Sequence, residues 1–220
     1  MLLDPVRLHV FTDFDGTITT IDTLNFLAAR LGAGAEAFHE SERQLREGRL
    51  TEREAIAQNV GAIRRPFPEA AAILRAEVAI DPDFAPFARW CAANGVPLTV
   101  LSAGFEEIVA LYVTPEEFPG LRVCANRLRP GTWECRFRDD SPFGHDKAAA
   151  LREARARGQQ TVMIGDGTSD EAPAAVADLV FARRGGPLVG HCRRGGIPCH
   201  EYESFDDVLQ GLGARLGRAA

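Results

Sequence analysis

Two aspartates end the first apolar segment of the chain. Asp13 and Asp15 follow the short run at residues 8–11, and residues two apart in an extended chain project to the same side. Like charges this close raise each other's pKa unless a cation lies between them. Mg²⁺ prefers oxygen ligands and suits an accompanying phosphate. The pair therefore predicts a divalent metal site for phosphate chemistry, although Asp15 and Gly16 together are also typical of a simple turn.

A second acidic pair stands near the other end of the chain. Asp166 lies between two glycines just after the apolar run 162–164, and Asp170 follows four positions later. Asp166 would complete an oxygen-rich metal site if the two strands are neighbours. For Asp170 the alternative is a role as N-cap of the helix that starts at residue 171.

A group of small residues ends the apolar run 98–101. Ser102, Ala103 and Gly104 precede a helix predicted at 105–113. Small residues there let backbone N–H groups approach an anion, and a helix N-terminus attracts phosphate. Ser102 is equally suited to capping that helix.

A cation stands where a helix disfavours one. Lys147 begins a helix predicted at 147–157, and the helix dipole is unfavourable for a positive charge at that end. A phosphate and several carboxylates nearby would make the lysine favourable as a neutralising charge. A solvent-facing side chain is the alternative.

Short apolar runs position these polar residues. They are rich in β-branched or aromatic residues and lie at 8–11, 98–101, 162–164 and 179–181. Such strands alternating with helices indicate a parallel sheet that is buried on both faces. Ligands of α/β sheets bind beyond the carboxyl ends of the strands. The polar groups are therefore predicted to meet in one crevice.

Helical patterns without strands follow the first run. They include a capping box at Thr51 and Glu54, and they predict four helices. We predict a core domain of residues 1–20 and 83–220, with an inserted helical bundle of residues 21–82 over the crevice. Further on, alternating residues around Pro130 and Gly131 predict a β-hairpin, across which Cys124 and Cys135 could face each other.

The composition and net charge of the chain limit the kinds of binding partner that we expect. The chain has 220 residues, 45% of them hydrophobic, and a net charge of −6, which is typical of a globular protein without nucleic acid or anionic membrane as its main partner. No apolar run approaches the ~20 residues of a membrane span. The first five residues lack a signal-peptide pattern. The five cysteines are odd in number and form no CxxC pair, which favours reduced thiols. We predict a cytoplasmic location.

Four motifs, in order, resemble those of the haloacid dehalogenase (HAD) superfamily of phosphatases. They are Asp13-Phe14-Asp15-Gly16-Thr17, then Ser102, then Lys147, then Gly165-Asp166-Gly167-Thr168-Ser169-Asp170. The resemblance extends from residue 7 to about residue 182. It implies an α/β fold: a Rossmann-like core with a central parallel sheet, plus an inserted helical-bundle cap.

The resemblance also implies roles. Asp13 would be the nucleophile that forms an aspartyl-phosphate, and Asp15 the general acid that becomes the base for water. Ser102 and Lys147 would hold the phosphoryl group, with Ala103 beside them.

The same resemblance implies a set of substrate-binding residues and a set of metal-binding residues. The substrate-binding residues would be Asp22, Ser102, Ala103, Gly104 and Lys147. The residues of a Mg²⁺ site would be Asp13, Asp15 through its backbone carbonyl, Asp166 and, nearby, Asp170.

Two subfamilies are similar. Phosphoserine phosphatases use an acidic cap residue for the substrate amine, for which Asp22 is the candidate, and an arginine for the carboxylate, for which Arg49 or Arg53 is the candidate. Ser169 stands where that group usually has asparagine.

The second subfamily is the closer resemblance. The DFDGTIT segment at 13–19 and the segments at 124–126, 145–147 and 177–183 look more like the methionine-salvage phosphatases, which act on 2-hydroxy-3-keto-5-methylthiopentenyl-1-phosphate. A phosphomutase and a nonenzymatic phosphate-binding protein are the alternatives from other classes. We expect a small phosphorylated metabolite as the partner and a monomer or homodimer.

Overall fold

A mostly parallel sheet forms the centre of the molecule. The computed structural model describes residues 3–216, so residues 1–2 and 217–220 of the predicted core ranges lie outside the described residues. The strands are β1 Leu8–Thr12, β2 Leu98–Phe105, β3 Arg122–Leu128, β4 Cys135–Arg136, β5 Gln160–Gly165, β6 Leu179–Arg183 and β7 His200–Tyr202. Their order is β4-β3-β2-β1-β5-β6-β7, and β4 alone is antiparallel to its neighbour.

Helices alternate with these strands, which confirms the predicted α/β class. Those of the described residues are α1 Thr23–Leu31, α2 Ala35–Arg46, α3 Glu52–Gly61, α4 Phe67–Glu77, α5 Phe84–Ala93, α6 Glu106–Val109, α7 Lys147–Ala156, α8 Glu171–Val176, α9 Pro187–Gly195 and α10 Phe205–Arg215, with a 3₁₀ turn at Thr168–Asp170. None of the helices within residues 3–216 has the length and apolarity that crossing a membrane would require.

The register of the three central strands aligns their ends. Thr12 at the end of β1 lies opposite Val100 of β2 on one side and Ile164 of β5 on the other. The backbone N–H of Asp13 donates to the carbonyl of Ile164 at 2.8 Å, which continues the pairing one residue further. The residues that follow β1, lie at the end of β2 and follow β5 therefore share one edge of the sheet.

Four helices, α1 to α4, lie between β1 and α5, as predicted. The Thr51 and Glu54 capping box opens α3, and satisfying the free N–H groups of a first turn in this way stabilises a helix start. Thr19 and Ile80 form an isolated antiparallel bridge, which joins the beginning and the end of this helical segment.

The prediction of a helix at 105–113 is wrong in its first residue and in its length. Strand β2 continues through Ser102 to Phe105, and only the four residues of α6 are helical. A register shift between Leu101 and Phe105 keeps the strand paired with Asn126 of β3, and the Asn126 amide donates to the carbonyl of Ala103 at 2.7 Å. This pairing across the sheet overrides the local helical pattern.

The predicted hairpin is present, with Leu128 opposite Cys135. Cys124 therefore does not face Cys135, and all five cysteines are free. The parallel pairing of β3 with β2 was not predicted.

A cavity of about 430 Å³ lies at the amino end of β2 and is lined by residues such as Cys91 and Phe118. It lies away from the edge of the sheet that carries the polar groups.

Candidate active site

A buried ammonium group joins two of the predicted motifs. Lys147 Nζ donates to Asp13 Oδ1 at 2.6 Å, to Asp170 Oδ1 at 2.8 Å and to Ser169 Oγ at 2.9 Å. Asp146 caps α7 by accepting from the N–H of Ala149, so the helix starts at the lysine. Burial alone would lower the pKa of Lys147, but the two carboxylates outweigh it and raise that pKa. The alternative prediction, a Lys147 side chain that faces the solvent, is therefore wrong.

Three carboxylates form one cluster at this edge. Asp13, Asp166 and Asp170 each offer an oxygen, and the three oxygens lie within 4.8 Å of one another. Burial, followed by the charge of Asp170, raises the pKa of Asp13 well above its ordinary value and that of Asp166 to about 6. A single ammonium does not neutralise three carboxylates. The cluster has the oxygen donors and the residual negative charge that suit a hard divalent cation.

Asp170 is held on both of its oxygens. Oδ1 accepts from Lys147, and Oδ2 accepts from the backbone N–H groups of Asp166 and Gly167 at 3.0 and 3.2 Å. A Cβ at Gly165 would lie 2.3 Å from Oδ2, so only glycine allows this approach. The Asp170 side chain does not cap α8. Its contacts are those of a residue that orders the loop around Asp166.

Asp15 is not one of the three carboxylates of the cluster, and its carboxyl group is hydrogen-bonded to the first residue of α1. Its Oδ1 accepts from the backbone N–H of Thr23 at 2.9 Å and forms a short hydrogen bond with the Thr23 hydroxyl. Burial raises the pKa of Asp15, and the hydrogen bonds from Thr23 oppose that rise. A Cβ at Gly104 would lie 2.8 Å from Asp15 Oδ2, so the glycine leaves room for the carboxyl group.

Ser102 lies in strand β2, so the predicted helix N-terminus does not form its anion site. Its Oγ accepts from the N–H of Gly104 at 2.8 Å, and its carbonyl lies 2.9 Å from Nδ1 of the buried His145. Asn126 holds the next residue, Ala103. His145 and Asn126 support this strand end, and sequence reasoning missed both because neither stands near Ser102 along the chain.

The loop after β1 also supports Asp166. The Thr17 hydroxyl donates to Asp166 Oδ1 at 3.1 Å. Gly16 has a φ of 73°, and a Cβ there would lie 2.6 Å from Asp166 Oδ2. Glycine is therefore required at this position on two counts, the left-handed backbone and the close carboxylate.

Residues 10–172 match the family model of the haloacid dehalogenase-like hydrolases. The chain belongs to this family. The HAD fold is seen again in a solved structure described as a phospho-aspartyl intermediate analogue of phosphoserine phosphatase, with a TM-score of 0.71 at 20% identity, covering 94% of this chain and 98% of that one.

Relatives of similar length match nearly the whole HAD hydrolase. Pdp3-interacting factor 1 of Schizosaccharomyces pombe is 32% identical, covering 94% of this chain and 95% of that protein. A polyol phosphate phosphatase of Saccharomyces cerevisiae is 30% identical, covering 94% and 93%. A 2-hydroxy-3-keto-5-methylthiopentenyl-1-phosphate phosphatase of Exiguobacterium sibiricum is 27% identical, covering 94% and 97%. Family and relatives together identify a phosphoric monoester hydrolase.

The candidate residues for the amine and the carboxylate of a phosphoserine substrate lie at the start of α1 and at the start of α3. Asp22 caps α1 by accepting from the N–H of Asn25 at 2.8 Å, and burial, followed by the charge of Asp15, raises its pKa to about 8. Arg49 pairs with Glu47, and Arg53 donates to Asp140 at 2.9 Å. Both candidate arginines are therefore already engaged with acidic side chains.

Proposed function

We propose that this HAD hydrolase is a Mg²⁺-dependent phosphomonoesterase that releases phosphate from a small metabolite through an aspartyl-phosphate on Asp13. The observation that carries the proposal is the 2.6 Å contact between the Lys147 ammonium and Asp13. It keeps the Asp13 carboxylate oriented and lowers the charge repulsion toward an approaching phosphate. Asp15 and Ser102 reach the same edge of the sheet.

In the first step, an oxygen of Asp13 attacks the phosphorus atom. The new bond joins that oxygen to phosphorus, while the bond from phosphorus to the ester oxygen breaks. Asp15 donates its proton to the leaving oxygen, and the raised pKa of Asp15 favours the protonated form that this requires. Lys147 would neutralise charge on the phosphoryl oxygens, and the Ser102 hydroxyl would donate to one of them.

In the second step, Asp15 works as a base. Now ionised, it accepts a proton from a water molecule whose oxygen attacks phosphorus, and the bond to Asp13 breaks to release phosphate. Dividing the reaction in this way replaces one difficult displacement with two easier ones. The hydrogen bonds from Thr23 to Asp15 stabilise the ionised form that the second step needs.

The cation would be held by Asp13 and Asp166 with the backbone carbonyl of Asp15, while Asp170 orders the loop. When bound, Mg²⁺ supplies positive charge to the phosphoryl oxygens. The carboxylate cluster supports this choice, since its oxygens lie within 4.8 Å of one another.

For the substrate we propose a polyol phosphate. The support is the similarity to a polyol phosphate phosphatase, together with the engagement of Arg49 and Arg53 by acidic side chains, which leaves neither arginine for a substrate carboxylate such as that of phosphoserine. The methionine-salvage substrate is the second candidate, and the support for it is the weaker similarity to phosphatases named for that compound.

We further propose that residues 21–82 form a cap domain on the core of residues 1–20 and 83–220. Contacts such as those of Thr23 with Asp15 and of the Trp133 indole with the carbonyl of Arg65, at 2.7 Å, support a cap seated over the site. The free cysteines suit a cytoplasmic location.

Phosphate release from a panel of small esters tests the proposal. The panel contains glycerol phosphate, erythritol phosphate, phosphoserine and the methylthio compound, each with Mg²⁺ or with a chelator. We expect Mg²⁺-dependent phosphate release by the wild-type chain, fastest from a polyol phosphate, and none by Asp13→Asn. An isomerised ester instead of free phosphate would identify a mutase, and activity in Asp13→Asn would overturn the nucleophile.

A further inference from the structure

An arginine at the end of β6 contacts the loop that supports the acidic cluster. Arg183 is the last residue of β6, and its Nη1 donates to the backbone carbonyl of Thr17 at 3.0 Å. Thr17 is fully buried, and its hydroxyl donates to Asp166 Oδ1 at 3.1 Å. One hydrogen bond therefore joins the guanidinium to Thr17, and a second joins Thr17 to a carboxylate of the cluster.

Two further groups fix the orientation of this guanidinium. Tyr202 of β7 lies opposite Arg183 in the strand register, and its ring centre is 5.8 Å from the guanidinium carbon, which is within the range of a cation–π contact. Arg183 Nη1 also lies 3.9 Å from a carboxylate oxygen of the buried Asp81. The Asp81 N–H in turn donates to the carbonyl of Ile18 at 2.8 Å. These contacts hold the guanidinium against the loop that contains Thr17.

The segment that follows Arg183 contacts the backbone of the same aspartate. The N–H of Leu188, near the start of α9, donates to the carbonyl of Asp166 at 2.9 Å. A Cβ at Gly186 would lie 2.6 Å from that carbonyl oxygen, so glycine is needed for the close approach. The connection from β6 to α9 therefore holds Asp166 twice, through Thr17 on the side chain and through Leu188 on the backbone.

The charge of Arg183 and its contacts have opposite consequences for a metal ion at the cluster. A guanidinium repels a cation bound nearby, whereas orienting a carboxylate ligand favours one. The Arg183 side chain is 23% exposed, and water weakens the repulsion. The two influences can be separated by experiment because they change the metal affinity in opposite directions.

We propose that Arg183 is a positioning residue, which holds Thr17 so that the Asp166 carboxylate keeps the orientation that a divalent cation requires. This inference rests on the proposed metal-dependent function and adds a residue to it. Within residues 3–216, no hydrogen bond or ion pair joins Arg183 to Asp13, Asp166 or Asp170, so Arg183 acts through Thr17. Groups that orient a metal ligand without touching the metal typically change its affinity by about 10–100-fold.

Calorimetric titration of the chelator-treated chain with Mg²⁺ tests the proposal without any substrate. Thr17→Val removes the hydroxyl that is bonded to Asp166, and Arg183→Met removes the donor and the charge from a side chain of similar length. We expect each variant to raise the Kd for Mg²⁺ by about tenfold. In the double variant the Kd should equal that of Thr17→Val alone, because the effect of Arg183 passes through Thr17.

Two further variants are controls. Arg183→Lys keeps the positive charge and an N–H donor for the Thr17 carbonyl, so it should recover most of the affinity that Arg183→Met loses. Arg184→Met is the matched control, because Arg184 is exposed and paired with Glu203, and its Kd should equal that of the wild type. Urea unfolding with a chelator measures any general loss of stability separately. Should Arg183→Met fail to fold, Arg183→Gln replaces it under the same expectation.

The outcomes distinguish positioning from other roles. An unchanged Kd in Arg183→Met, even with a lower free energy of unfolding, would overturn the proposal, because Arg183 would then stabilise the fold alone. A lower Kd would overturn it too, because the guanidinium would then act as a repelling charge. A Kd of the double variant well above that of Thr17→Val, or an equal rise in Arg184→Met, would also contradict it. A wild-type chain that binds no Mg²⁺ would instead overturn the proposed metal-dependent function.

Discussion

The ammonium of Lys147 lies 2.6 Å from the carboxylate of Asp13, although the two residues are 134 positions apart. Both side chains are buried. Lys147 is also the only lysine of the chain, so the other 24 of the 25 Lys and Arg residues are arginines. A compact charge on a flexible stem fits among Asp13, Ser169 and Asp170, whereas the planar fork of arginine has a different geometry.

Lys147→Met should abolish activity and should also lower the free energy of unfolding. Breaking a buried ion pair leaves uncompensated carboxylates, at a cost of about 3–5 kcal/mol at pH 7. Burial raises the pKa of Asp13, so its protonation as the pH falls from 7 toward 5 removes one of those charges, and the deficit relative to wild type should shrink. Urea unfolding at both pH values measures this. An equal deficit at both values would argue against the carboxylates as its cause, and Lys147→Arg tests whether charge alone suffices.

Thr23→Val should alter the pH profile as well as the rate. The Thr23 hydroxyl stabilises ionised Asp15, so its loss should raise the pKa of Asp15 further and move the basic limb of kcat/KM to higher pH. Looser positioning of Asp15 should reduce kcat by about tenfold. Thr23→Ser keeps the hydroxyl and should keep both properties. A basic limb that stays in place in Thr23→Val would show that Asp15 does not set it.

Asp22→Asn should stabilise the fold at neutral and alkaline pH. The pKa of Asp22 is raised from 3.8 to about 8, so between these values the native state binds a proton that the unfolded state has lost, and stability falls as pH rises. Asparagine caps a helix equally well and carries no charge.

The advantage of Asp22→Asn over wild type should therefore grow from pH 4 to pH 8 and then stay level, reaching at least about 1 kcal/mol. Urea midpoints across this range measure it. The exposed Asp206 serves as control, since Asp206→Asn should show no such trend. A variant less stable than wild type at pH 8 would contradict an unfavourable charge at Asp22.

Much of this architecture follows from local patterns. The apolar runs mark four strands because each is buried on both faces, and the Thr51 capping box marks the start of α3. Asp13, Asp15, Lys147 and Asp166 stand out because their types are costly at buried strand and helix ends without an opposite charge.

Other features depend on contacts between distant segments. Asn126 and His145 hold the end of β2. Both lie in segments that resemble the methionine-salvage phosphatases, but nothing in their local sequence shows that they contact Ala103 and Ser102. The strand at Ser102 continues only because β3 pairs beside it through a register shift, so its local sequence suggested a helix.

Divalent metal should stabilise the folded chain. Three buried carboxylates repel one another, so Mg²⁺ bound to the native state alone should raise the unfolding temperature, and the gain in the free energy of unfolding should follow the logarithm of one plus its concentration over Kd. Asp166→Asn should abolish this rise, while Asp178→Asn, which changes an acid outside the cluster, should retain it. Calorimetry with Mg²⁺ and with a chelator measures both. An equal rise in Asp166→Asn would place the metal elsewhere.

The most direct test of the whole account is the covalent intermediate itself. Asp15→Asn removes the base of the second step, and p-nitrophenyl phosphate has a leaving group that departs without a proton in the first step, so the chain should accumulate one phosphoryl group when it is mixed with this ester and quenched in acid. Mass spectrometry of the peptides should locate that group on Asp13, and Asp13→Asn should carry none. A phosphoryl group attached to another residue, or turnover by Asp13→Asn at the wild-type rate, would contradict the mechanism through an aspartyl-phosphate on Asp13.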